Sequence, residues 1–152
     1  MRMTSLVLQR ICLTVVTLLM LGCRSYSLEK EFFVQPLGTR LERMRQYSLE
    51  DQYRIFRYGN DVVHPPLTDL ANPIAEKGSV AIPLLIDHLN ADDDDFTVRD
   101  TLLVLERMQS SGSYDVKSDA AVMTTLDSKV STVKDKEWRT TCLKMLERIR
   151  GG

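Results

Sequence analysis

Histidine is scarce in this chain, with two in 152 residues, and neither stands where metal or acid–base chemistry would need it. His64 precedes a Pro-Pro turn, His88 falls near a helix end, and no HExxH or similar ligand spacing includes them. Glycine is also sparse, at seven residues, and no glycine-rich run could cradle a phosphate. No segment alternates apolar and polar residues long enough to form a strand. No apolar run reaches the roughly 20 residues that a membrane-spanning helix requires. Excess charge of one sign is missing as well: 20 Lys and Arg face 21 Asp and Glu. Without a basic stripe to displace counterions, nucleic acid is excluded as the expected partner. These absences argue against an enzyme and against a metal or small-molecule cofactor.

What is present begins with an address. Arg2 and Arg10 precede the uncharged stretch Ile11–Leu21, whose eleven apolar or small residues have the length of the h-region of an export signal. The stretch runs into Met20-Leu21-Gly22-Cys23. These four residues resemble the lipobox of bacterial lipoproteins, in which a small residue precedes the cysteine that becomes the first mature residue. Met20 and Leu21 depart from the commonest form, in which a Leu and a small residue stand there. The resemblance implies that residues 1–22 are a signal peptide and that Cys23 carries a diacylglyceryl thioether and an acylated amine, with palmitate-type chains. The alternative is that Cys23 ends an uncleaved anchor. Several acyl chains on one residue hold a protein durably to a bilayer, whereas one chain is marginal. Arg24 is not the aspartate of the inner-membrane retention signal, so the resemblance implies an outer-membrane lipoprotein facing the periplasm.

Cysteine usage agrees with this address. Cys12 lies in the discarded segment and Cys23 would be blocked by lipid, which leaves Cys142 with no disulfide partner. The exported domain must then rely on apolar burial, and 43% hydrophobic with 27% charged residues suits one modest globular core. Cys142 itself lies on an apolar stripe and reads as a core thiol, not a nucleophile.

Residues 23–38 read as the lipidated cysteine and a tether, polar and aperiodic from Arg24 to Lys30. The cluster Phe32-Phe33-Val34 either packs on the domain or touches a membrane or partner. From Thr39 to the end the pattern is helical, so the expected fold is all-α. Ser48 with Asp51 resembles a capping box, and Leu49, Tyr53 and Phe56 follow on one face until Gly59-Asn60. A loop with His64-Pro65-Pro66 leads to a segment from Leu67 to Lys77, interrupted at Asn72-Pro73. Ser79 is the expected N-cap of the next helix, which carries Ile82, Leu85, Ile86 and Leu89. Val98, Leu102, Leu105 and Met108 mark its partner, which stops at Ser110-Ser111-Gly112. Val122, Leu126, Val130 and Val133 mark a fifth helix, and Trp138, Cys142, Met145 and Ile149 a sixth ending at Gly151. Leu85, Leu102, Leu105, Trp138 and Met145 are expected inside.

The last four helices look like two copies of one unit, over 79–110 and 115–150. A shift of 40 residues lays Ala81 on Ala121, Ile82 on Val122, Asp87 on Asp127, Arg99 on Arg139, Thr101 on Thr141 and Leu103 on Leu143. A two-helix period of this length belongs to the HEAT and armadillo range. The stretch from Ala81 to Met108 resembles a HEAT repeat, including the spacing of Asp93 to Val98-Arg99. The resemblance implies helical hairpins stacked as a short array, with Arg99 helping to join neighbours. Trp138-Arg139 and Val133 depart from the pattern in the second copy.

Asp92, Asp93, Asp94 and Asp95 form the densest charge in the chain. As an EF-hand loop the run fails, with Thr97 at the sixth position and Leu103 at the twelfth. Acids beside a helix start are favoured by the partial positive charge there, but one side chain suffices to cap. The four aspartates are therefore candidate contacts for a partner with a basic surface. The reading that results is a lipid-anchored, non-catalytic envelope protein that serves as a protein-binding scaffold. Its alternative is an immunity-type inhibitor of a toxin, or a regulator of an envelope enzyme.

Overall fold

The computed structural model describes residues 28–151. Cys23 and the export segment lie outside the described residues. Among those described, every regular element is helical. They fall into two compact units, one ending at Arg40 and the other beginning at Leu41. No described helix is long and apolar enough to cross a membrane.

In the first unit, residues 28–33 are helical (α1), within the 23–38 stretch that the sequence reads as the lipidated cysteine and tether. A 3₁₀ turn, Leu37–Thr39, follows; Arg40 ends this unit and is the first residue of a short helix, α2, Arg40–Met44, whose other residues belong to the second unit. Phe32 is buried and meets Phe33 edge-on at 5.1 Å, while Val34 is exposed.

The second unit is built around one helix. Ser48 caps α3, Leu49–Asp61, the Asp51 amide donating to Ser48 Oγ at 3.1 Å, while the Ser48 hydroxyl donates to the Asp51 carboxylate at 2.8 Å in place of the reciprocal backbone bond of a capping box. The helix runs two residues past Gly59. The segment 67–77 resolves into a 3₁₀ turn, Thr68–Leu70, and α4, Ala71–Ala75, with Pro73 in the first turn where its missing N–H leaves no bond unmade. Ser79 is not an N-cap: it is exposed in the 3₁₀ turn Gly78–Ala81, and α5, Ile82–Ala91, begins after Ala81 with no side-chain cap and Pro83 in its first turn. Then come α6, Asp95–Ser111, α7, Ala120–Thr132, and α8, Lys136–Arg150. Asp119 and Asp135 cap α7 and α8, while Gly112 and Gly151 close α6 and α8 in the left-handed conformation that glycine adopts without strain.

Helix α6 is the centre. Residues Thr97 to Leu105 are buried without interruption, so this helix is covered on every side. It packs most extensively on α8, then on α4, and also touches α3, α5 and α7. Helices α5 and α6 form one hairpin, α7 and α8 another, and α5 also meets α7. Arg148 of α8 holds Glu106 of α6 with two bonds of 2.6 and 3.1 Å.

Leu85, Leu102 and Leu105 are fully buried as expected. Trp138 and Met145 are only half-buried. The inward stripe of α8 is Cys142, Leu146 and Ile149, and Trp138 and Met145 lie at its margins. Truncating Leu102 to Ala should cost about 2–5 kcal/mol, because α6 is held on all sides and cannot collapse into the void; chemical denaturation will measure it. Gly78 has a φ of +55°, and a Cβ there would lie 2.6 Å from the carbonyl oxygen of Ser113, whose side chain bonds Ala75 O at 2.7 Å. Gly78→Ala should therefore lower the unfolding midpoint more than Gly112→Ala, which carries about 1 kcal/mol of backbone strain in open space.

Candidate functional site

The four aspartates occupy the α5–α6 turn, and each has a partner within the chain. Asp92 takes extended backbone geometry after α5, which aims its carboxylate forward. One oxygen accepts from the Asp94 amide at 3.0 Å and the other from the Thr97 hydroxyl at 2.9 Å. Asp93 meets Lys129 Nζ at 3.1 Å, yet its side chain is 83% exposed. Asp94 is the residue before α6, but its carboxylate makes no capping bond and instead meets Arg57 of α3 at 3.2 Å. Asp95 reaches the α7–α8 turn, accepting from the amides of Asp135 and Lys134, each at 2.9 Å. Those two N–H groups hold its carboxyl below the usual carboxylate range. The structure thus uses Asp94 and Asp95 to join three helices that lie side by side, and leaves Asp93 facing outward.

Behind the turn lies a buried ionic cluster. Asp100 of α6 is completely buried. One of its oxygens accepts from Arg99 Nε at 2.7 Å and Asn60 Nδ2 at 2.8 Å, and the other faces Arg57 Nε at 3.4 Å. Arg99 also meets Asp61 at 3.3 Å, and Arg57 donates to the Thr97 hydroxyl. Burial pushes the Asp100 carboxyl up to about 6, against the opposing pull of Arg99, Asn60 and Arg57. Both guanidiniums are engaged by carboxylates of their own chain, so the cluster clamps α3 to α6. Burial likewise pushes the Cys142 thiol up to about 11, which keeps it protonated and unreactive at neutral pH.

On the α8 side, the Arg99 guanidinium lies against two aromatic rings, 4.7 Å from the Phe96 centroid and 4.9 Å from that of Trp138. The two rings meet edge to face at 5.6 Å. Arg139, which the 40-residue shift lays on Arg99, makes no such bridge and donates to Val133 O, within its own hairpin. Phe96 and Trp138 border an open groove of about 330 Å³, shared with Asp93, Asp94, Asp95, Lys134 and Asp135. This groove is polar, partly aromatic and acidic at its rim.

The histidines lie elsewhere. His64 is exposed in its loop, and His88 stacks on Tyr53 at 4.3 Å with Glu50 3.2 Å from Nε2. Among the described residues no three His, Cys, Asp or Glu side chains converge as metal ligands would.

Arg57, Asn60, Asp61 and Asp100 escaped the sequence reading. A signal for them existed: Asn60 and Asp100, Arg57 and Thr97, and Asp95 and Asp135 are each in contact and each 40 residues apart. The repeat shift, carried upstream into α3, pairs them. No protein-family model, curated protein or solved structure matches the chain.

Because Asp100 binds its proton more tightly when folded, with a pKa of about 6 against 3.8, the folded state holds the excess proton between these values. Stability should fall as pH rises from about 4 to 6 and level off above. Asp100→Asn should remove that slope, as urea unfolding at successive pH values will show; an unchanged slope would assign the linkage to another group.

Proposed function

We propose that this protein is a lipid-anchored, non-catalytic scaffold of the bacterial envelope, held by lipid on Cys23 and seated at the outer membrane facing the periplasm. The observation that carries this reading is the charged start, the eleven-residue apolar run and Gly22-Cys23. The helical domain supports it from the other end. The hairpins α5–α6 and α7–α8 place α6 against α8 and α5 against α7, and residues 40 apart touch. These features support a short HEAT-like array, an architecture that suits presentation of a surface to another protein. In this reading α3, in register with α6 through Arg57–Thr97 and Asn60–Asp100, occupies the position of the second helix of a preceding unit.

The partner is another envelope protein with a basic surface, met at the α5–α6 turn. Asp93, with its side chain 83% exposed, is open to it, and Phe96, 38% exposed, lies in the adjoining groove. Asp92, Asp94 and Asp95 shape the turn and add to its negative field, which acts mainly on encounter rate and specificity.

Mass spectrometry of the mature protein should find lipid on Cys23 and nothing before it, and Cys23→Ser should release the protein from the membrane fraction. An intact N-terminus, or an unmodified thiol in a released form, would refute the anchor. With the partner captured by crosslinking in the native cell, Asp93→Asn should slow association and weaken its salt dependence while leaving the fold intact. An unchanged rate would show that the turn serves only the helix stack.

A further inference from the structure

The loop between α1 and the following 3₁₀ turn presents two apolar side chains outward: Val34 is 79% and Leu37 71% exposed. Isolated exposed apolar residues are ordinary. These two differ in the state of the backbone that carries them. The amides of Val34, Gln35 and Thr39 donate to the carbonyls of Lys30, Phe32 and Pro36 at 3.2, 3.3 and 3.2 Å. The Thr39 hydroxyl donates to Pro36 O at 3.2 Å, and the Arg40 amide donates to Leu37 O. Arg40 closes the loop from the other side, its guanidinium donating to Phe33 O at 2.7 Å and Gln35 O at 3.1 Å while lying over the Phe33 ring. The backbone is thus largely bonded within the segment, as entry into an apolar medium requires. Pro36 brings no N–H of its own.

We propose that this loop is a membrane-contact element in which Val34 and Leu37 enter the boundary between headgroups and acyl chains, with Arg40 at headgroup level. The occupant follows from the chain that precedes the loop. Ten residues separate Cys23 from Val34, and with 28–33 helical the two lie at most about 30 Å apart. A lipid on Cys23 therefore keeps the loop within about one hydrocarbon thickness of its anchor point. Residues 34–37 carry no charge, so no ionised group on the loop tip opposes insertion. The proposal rests on the anchor reading for its geometry, and the experiment separates the two.

Full-length Val34→Cys, Leu37→Cys and Val62→Cys proteins, exported and purified from membranes, are labelled with an environment-sensitive fluorophore. They are then reconstituted in vesicles of phosphatidylethanolamine and phosphatidylglycerol. Val62, 56% exposed at the end of α3, is the control; native Cys142 is buried, and the parent protein gives its background. Labels at 34 and 37 should emit further to the blue and show a several-fold smaller iodide quenching constant than the label at 62. With lipid on Cys23 shown by mass spectrometry, equal quenching at all three positions overturns the loop and leaves the anchor standing. With Cys23 unmodified, protection at 34 and 37 on adding vesicles sustains the loop and removes the anchor, and equal quenching removes both.

Discussion

A carboxylate enclosed by two guanidiniums is the constraint around which the second unit is arranged. Helix α6 is buried along nine consecutive residues, and four of them, Thr97, Arg99, Asp100 and Thr101, are polar. A covered helix with such a sequence is tenable only if its neighbours bring matching groups, because a buried charge without partners costs several kcal/mol. Arg57, Asn60 and Asp61 of α3 supply them on one side, and on the other the Phe96 and Trp138 rings cover the Arg99 guanidinium. The packing of α3, α6 and α8 therefore follows from where α6 puts its polar residues, since apolar contact alone tolerates sliding and the ion pairs do not.

Placement of the acidic turn has the same origin. Four adjacent aspartates look like an excess when read along the chain, where the only neighbour in view is one helix start. In three dimensions they face three different elements: Asp94 meets α3, Asp93 meets α7 and Asp95 meets the α7–α8 turn. Their mutual repulsion is offset by Arg57, Lys129 and backbone N–H groups that no local pattern reveals.

Features governed by neighbours three or four residues away were legible in the sequence. The Ser48–Asp51 cap, the stripe Val98–Leu102–Leu105–Met108, the stop at Gly112 and the burial of Cys142 all depend on helical period and turn chemistry. Long-range contacts decided the rest. Trp138 was expected inside from its spacing with Cys142; it lies at the margin, where the indole covers Arg99. Ser79 has the chemistry of a cap, but it follows Gly78, which sits at positive φ close to the Ser113 backbone, in a 3₁₀ turn before α5 begins. The ion cluster was readable only by following the 40-residue shift beyond the two copies it first revealed.

Arg139 is spent within its own hairpin. Its mate Arg99 is gripped by Asp61 of a neighbouring helix, whereas Arg139 closes on Val133 O in its own hairpin. Leu143, laid on the buried Leu103 by the same shift, is 46% exposed, with Lys144, Glu147 and Arg139 exposed near it in sequence. An arginine satisfied by its own turn is not free to grip a neighbouring helix, whereas Arg99, 40 residues earlier, ties α6 to α3.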